Sequence, residues 1–187
     1  MSLFHKNLPT DEALWKQLLD GNEDALDGLM QRYFRELFHY GGKFSRDDDL
    51  IKDCIQDLFL DIWERRETLR PDVFVKPYLL VALRRRIHRV WQMNQLQTDL
   101  TTVPDFAADF TVEEHLILSE QTRFIARQMQ QLLDGLPARQ KEVIYLRYFQ
   151  ELNREQIADV MHITLQSVSN LLQEALRKLR GQWKTDL

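Results

Sequence analysis

The chain contains a single cysteine in 187 residues, so no internal disulfide is open to it, and Cys54 lies on an apolar stripe, as suits a reducing cytosol. Glycine and proline are scarce, at six and five residues, and no strand-like alternation of apolar and polar residues stands out. Sheet architectures are thereby disfavoured, and apolar residues recurring at helical spacing predict an all-α protein. Long apolar runs are missing too, as is an apolar run behind a basic N-terminal segment. The expectation is a cytoplasmic protein with no membrane insertion. Catalytic signatures are equally thin. Five histidines are scattered, with no His-Glu-x-x-His and no glycine-rich phosphate loop, which predicts no enzyme, no catalytic residues, no metal site and no cofactor.

What is present is charge, sorted along the chain. A net charge of −4 argues against a nucleic-acid partner, but the distribution of charge matters more than its sum. From Arg70 to Gln92 six cations (Arg70, Lys76, Arg84, Arg85, Arg86, Arg89) face the single Asp72. From Asn94 to Glu120 there are six acids (Asp99, Asp105, Asp109, Glu113, Glu114, Glu120) and no Lys or Arg. A basic block followed by an acidic one implies separate partners or separate sites.

Helix boundaries follow from capping residues. Thr10 or Asp11 can open a first helix ending near Leu19, with Gly21 as its stop, and a second runs from about Asn22 to Tyr40 and stops at Gly41-Gly42. The third helix buries Leu50, Ile51, Cys54, Ile55, Leu58, Phe59, Ile62 and Trp63. Beside that stripe Asp49, Asp53, Asp57 and Asp61 recur every four residues, stacking carboxylates along one line. Like charges so spaced repel by a few tenths of a kcal/mol per pair, so the line reads either as a solvated face or as a docking surface for a basic partner; unmatched repulsion favours docking. Metal binding fits less well, because a line of carboxylates does not converge on an ion. A fourth helix should start near Pro77 and bury Tyr78, Leu79, Ala82, Leu83, Ile87, Val90 and Trp91. Arg84 with His88, and Arg85 with Arg89, then form an outer cationic ridge, suited to phosphates or to answering the acidic helix. Trp91 fits the core better than base stacking.

From Asn94 to about Thr111 helical periodicity lapses around Pro104, marking a linker. Thr111 and Glu114 have capping-box spacing for a helix to Leu133, stopped by Gly135; Pro137 opens another, with Val143, Ile144, Leu146 and Tyr148 mostly inward. Asn153 with Gln156 then starts a short helix burying Ile157, Ala158 and Met161. After a turn at His162 and Ile163, Thr164 caps a helix with the stripe Leu165, Val168, Leu172, Ala175, Leu176 and Leu179. This is the helix-turn-helix pattern, whose plainer reading is an ordinary helical hairpin. Gln166, Ser167, Asn170, Glu174 and Arg177 face away from the stripe. Gln166 and Asn170 suit adenine edges, while Arg177 and Lys178 suit phosphates.

Taken in order, Asp47-Asp48-Asp49-Leu50 through Ile55-Gln56-Asp57-Leu58-Phe59-Leu60-Asp61-Ile62-Trp63, then Tyr78-Leu79 with the following arginines, then Gly135-Leu136-Pro137-Ala138-Arg139-Gln140-Lys141-Glu142-Val143-Ile144 and the helix-turn-helix, resemble bacterial RNA polymerase sigma factors. The resemblance is to the small, extracytoplasmic-function group and covers nearly the whole chain. It implies two small helical domains, residues 1–93 and 112–187, joined by an acidic linker, 94–111, the second containing the helix-turn-helix. It further implies that Asp53, Gln56, Asp57 and Leu60 contact the clamp helices of the largest subunit of core RNA polymerase. Arg84, Arg85, His88 and Arg89 would meet phosphates and exposed bases of the minus-ten element of promoter DNA. Gln166, Ser167, Asn170, Arg177 and Lys178 would meet the minus-thirty-five element. Asp99, Asp105 and Asp109 would imitate the backbone charge of RNA, and an anti-sigma factor is a further partner to look for. Three departures stand out: His162 where the family usually has Gly, Ser169 and Leu171 where it commonly has Lys or Arg, and Arg85 where Asn is frequent. The alternative is a stand-alone helix-turn-helix regulator, which would leave the Asp47 to Trp63 helix without a role.

Overall fold

The computed structural model describes residues 9–95, Phe106 and residues 128–183, and among these every regular element is helical. They divide into two compact units, one running to Gly42 and taking in Asp47–Arg89, the other comprising Lys43–Arg46 and the chain from Val90 onward.

The first unit is built from α1 (Asp11–Leu19), α2 (Glu23–Gly41), α3 (Asp48–Arg65) and the bulk of α4 (Val75–Gln95). Each of the first three starts on a side chain that accepts orphan backbone N–H groups: Thr10 from Ala13, Asn22 from Ala25, and Asp47 from Asp49 and Leu50. A cap of this kind contributes about 1 kcal/mol. Asp11 fastens α1 to α2 by accepting from both Arg32 and Tyr33. Trp15 is buried, and its indole N–H is satisfied by the carbonyl of Arg70 at 2.9 Å. Gly41 is needed for a different reason: a Cβ there would stand 2.7 Å from Cγ2 of Ile51, so α2 and α3 approach at a point with no room for a side chain. The inner face of α3 consists of Ile51, Cys54, Ile55, Leu58, Phe59 and Ile62, with Leu50 and Trp63 only half-buried. Burial raises the pKa of the Cys54 thiol.

A short 3-10 turn, Arg66–Thr68, leads from α3 toward α4. The fourth helix begins at Val75, two residues ahead of the expected Pro77, because the carbonyl of Phe74 already accepts from Tyr78 at 3.1 Å. Proline in the first turn lacks only an N–H that had no intrahelical partner. The helix buries Leu79, Leu80, Leu83 and Ile87, leaves Tyr78, Ala82, Val90 and Trp91 half-buried, and continues to Gln95.

In the second unit, helical residues 128–134 (α5) end at Gly135; the expected start at Thr111 lies outside the described residues, as do Asp99, Asp105 and Asp109. Phe106 is buried, its ring 5.7 Å from that of Tyr145. After Pro137 come α6 (Ala138–Ile144), a π-helical turn (Tyr145–Phe149), α7 (Arg154–Met161) and α8 (Leu165–Trp183). Val143, Ile144, Leu146, Ile157, Val160, Met161, Val168, Leu172 and Ala175 make the core. Buried Gln140 on α6 donates to Glu174 on α8 at 3.0 Å.

Two expectations fail here. Tyr148, expected inward, is 56% exposed, and Phe149 beside it is exposed as well. The wide turn, closed by the amide of Gln150 donating to the carbonyl of Tyr145, inserts an extra residue and rotates Arg147, Tyr148 and Phe149 outward. Leu165, expected on the core stripe, is 45% exposed, because the first turn of α8 lies ahead of the buried stretch that begins at Val168.

Candidate polymerase and nucleic-acid interfaces

The outward side of α3 presents Asp53, Gln56, Asp57 and Leu60, all exposed. Leu60 is the unusual member, a large apolar side chain left 57% open between acidic neighbours. The carboxylate line is less uncompensated than its spacing implied. Arg86 of α4 donates from Nη1 to Asp57 at 2.8 Å and from Nη2 to Asp61, while Lys52 pairs with Asp49 at 3.0 Å and has its pKa raised by that bond. Asp57 remains 58% exposed, so its pair is worth about 0–1 kcal/mol and does not hold the unit together. What the bridge does is orient one guanidinium against two carboxylates.

The cationic residues of α4 are divided between two lines. Arg85 and Arg89 are exposed and, with Arg65 and Arg86, line a groove of about 210 Å³ between α3 and α4, together with Asp61 and Tyr78. The Tyr78 hydroxyl has its pKa raised, chiefly by burial, against the lowering pull of Arg65 and Arg85. Arg84 and His88 are half-buried and do not line that groove. The spacing-based ridge is therefore two lines, a consequence of the 100° step between successive residues. Arg65 and Arg86, not singled out by the four-residue spacing, also line the groove, and Phe74 stands 73% exposed just before α4. The cluster of basic residues pointed to Arg86; an isolated Phe in a loop carries no such pattern.

In the second unit the helix-turn-helix is closed locally. Asn153 accepts from the amide of Gln156 at 2.8 Å while the Gln156 side chain accepts from the amide of Asn153 at 2.9 Å, a complete capping box. The turn places His162 in the left-handed region at φ 55°, where a Gly would sit without steric cost. Thr164 accepts from the amide of Ser167 at 3.1 Å and its hydroxyl contacts that of Ser167 at 2.8 Å, so Ser167 is partly committed to capping α8.

Beyond the cap, Gln166 donates to Asn170 at 2.9 Å. Gln166, Asn170 and Arg177 are exposed and share one line of the helix, with Lys178 exposed on its flank. Gln173, exposed and in phase between Asn170 and Arg177, belongs to the same line and was missed. The helical period was the available signal. The line extends over about 16 Å, presenting three amides and one guanidinium on a rod narrow enough for a DNA major groove.

A two-unit helical chain with an acid-and-leucine face in one unit and a helix-turn-helix in the other defines a class before any comparison is made. Two protein-family models match it: Sigma-70 region 2 over residues 29–96, and Sigma-70, region 4 over residues 132–181. The chain belongs to the sigma-70 family of RNA polymerase sigma factors, in its extracytoplasmic-function (ECF) group. Among relatives, the ECF RNA polymerase sigma factor SigK of Mycolicibacterium vanbaalenii is 23% identical over 174 residues, covering 90% of this chain and 87% of its own. RNA polymerase sigma factor SigV of Bacillus subtilis is 24% identical over 152 residues, covering 81% and 84%. The fold is shared with CnrH, solved in complex with the cytosolic domain of CnrY, at a TM-score of 0.61 and 18% identity over 95% of this chain and 99% of that one. It is also shared with the sigma factor RpoE of Bartonella quintana, solved with the anti-sigma factor NepR, at a TM-score of 0.59 and 17% identity over 86% and 98%.

The function is accordingly that of a promoter-recognising sigma subunit. Sigma factors are generally non-catalytic DNA-binding subunits. Among the described residues no helix is long and apolar enough to cross a membrane, and no cluster of His, Cys, Asp or Glu is arranged to hold a metal ion.

Proposed function

We propose the following division of labour for initiation at promoters. Residues 1–93 bind core RNA polymerase and the minus-ten element, 112–187 bind the minus-thirty-five element, and 94–111 join them. Asp53, Gln56, Asp57 and Leu60 dock on the clamp helices of the largest polymerase subunit. Arg84, Arg85, His88 and Arg89 serve the opened minus-ten strand, with Arg85 and Arg89 on phosphates. Gln166, Ser167 and Asn170 read bases, and Arg177 and Lys178 contact phosphates. The protein works in the cytoplasm with its polymerase, and its function as a subunit requires no catalysis of its own.

The observation that carries this reading is the outward face of α3, where Leu60 is exposed among Asp53, Gln56 and Asp57. A stand-alone helix-turn-helix regulator has no use for such a face. An apolar residue ringed by acids suits a partner surface that is basic around an apolar contact. Two fold neighbours were solved with a bound partner, the cytosolic domain of CnrY for CnrH and the anti-sigma factor NepR for RpoE, so we add an anti-sigma protein as a further partner. Run-off transcription with purified core polymerase on genomic fragments tests the reading. Defined transcripts that need this protein are expected. Sequence-specific DNA binding without any association with core polymerase would favour the stand-alone regulator.

A further inference from the structure

Glu174 is the only acidic residue among the 19 of α8, a helix whose other polar groups are amides, hydroxyls and cations. It is exposed and lies one turn beyond Asn170, about 6 Å further along the axis and about 40° around it. A carboxylate there is a liability to a helix that works among phosphates, because it repels them whatever the sequence. Yet it is held in place. Gln140 of α6, 34 residues away and only 5% exposed, donates from Nε2 to Oε2 of Glu174 at 3.0 Å. The Gln140 amide gains little else from its burial, since its own Oε1 has no hydrogen-bond partner among the described residues. An apolar side chain of the same size would fill that space without burying an unsatisfied acceptor. What the amide provides is a fixed position for the Glu174 carboxylate.

We propose that Glu174 is a specificity-determining residue that accepts from the N4 amino group of a cytosine in the minus-thirty-five element, and that Gln140 is the positioning residue that holds it for that contact. The inference rests on the base-reading role proposed for α8. With Oε2 engaged by Gln140, Oε1 is the oxygen left to accept. In the major groove a charged acceptor suits one base best: cytosine presents its N4 donor alone, adenine sets its N6 donor beside the N7 acceptor, and guanine and thymine present acceptors. The helix rise puts the cytosine within about two base steps of the base met by Asn170, at about 3.4 Å per step. Exclusion adds to the attraction. Where the cytosine is missing, the same charge stands against phosphates and acceptors with nothing to offset it, so wrong sequences lose more affinity than the right one.

The test uses holoenzyme reconstituted from core polymerase and the full chain, which selects from randomised duplex DNA before the bound fraction is sequenced. Wild type should favour cytosine at one position by about tenfold over the other bases, the scale of one charge-assisted base contact. Glu174→Gln can still accept from Gln140, so its effect on sequence does not pass through the fold. The amide then turns a donor outward, and the preference should shift from cytosine to guanine or thymine while the positions met by Gln166 and Asn170 keep theirs. Gln140→Met keeps the volume, removes the amide and should lose most of the cytosine preference alone. A second measurement separates reading from bracing. Glu174→Gln should weaken binding of the selected duplex yet tighten binding of a random-sequence duplex, because a repulsive charge has gone; a mere brace between α6 and α8 would weaken both. The inference is overturned if no position selects cytosine, if the preference survives Glu174→Gln, or if both duplexes are weakened together. Selection of no position at all by the wild type would bring down the base-reading role of α8 and this inference with it. Selected positions that are all indifferent to Glu174→Gln would bring down this inference only.

Discussion

The two polar faces solve different problems with different chemistry. On the first unit the functional groups are ions, and one cation is shared by two carboxylates, Arg86 between Asp57 and Asp61. On α8 they are chiefly neutral amides, and Gln166 engages Asn170 within its own helix. Ion pairs at half-exposed positions are weak and exchangeable, and they respond to salt. An amide pair is indifferent to salt but fixes which donors and acceptors point outward, and that determines which base edge fits. The first unit is thus suited to salt-sensitive, exchangeable contacts, and the second to contacts selected by the pattern of donors and acceptors. On the proposed roles the low charge along this line of α8 is no handicap, because attachment to polymerase would supply local concentration that the helix does not draw from phosphate attraction.

The largest expected effect breaks the comparison on the ionic side. Asp57→Arg should abolish copurification with core polymerase while circular dichroism stays helical, since it reverses an exposed charge and contributes nothing to the core. Normal copurification would remove α3 from the docking surface. On the amide side Asn170→Ala should lower promoter use by about tenfold at some promoters and little at others, the scale of one lost bidentate base contact. Lys178→Ala should weaken DNA binding evenly across sequences and reduce the salt slope by about one. Equal, sequence-blind losses for both would erase the distinction between reading and holding. The smallest effect concerns the turn alone. His162→Gly should raise stability by about 1 kcal/mol, seen as a higher denaturation midpoint, with DNA binding unchanged.

Much of the architecture was legible because its determinants are short-range. The Asn153 and Gln156 capping box, the Thr164 cap and the Asn22 cap act over three residues, and the family resemblance then supplied roles for the faces they position. What escaped was set by longer or subtler geometry. Tyr148 faces outward because of one wide turn that leaves no mark on apolar periodicity. Arg86 finds Asp57 across 29 residues, and four clustered arginine positions were equally eligible until two helix faces met. Phe106 belongs to a stretch without helical periodicity, and its ring lies 5.7 Å from that of Tyr145, a contact no spacing rule describes.

The close approach at Gly41 bears on how this protein would respond to random mutation. Ile51 fills the space opposite Gly41 on the inner side of α3, while Asp53, Gln56, Asp57 and Leu60 look outward from the same rod. A single methyl at position 41 would act as a shim behind that rod, pushing the surface out of register from beneath without altering one atom that a partner touches. In a genetic screen for polymerase association Gly41 would therefore score alongside the surface residues, and only a stability measurement would reveal it as a spacer and not a contact.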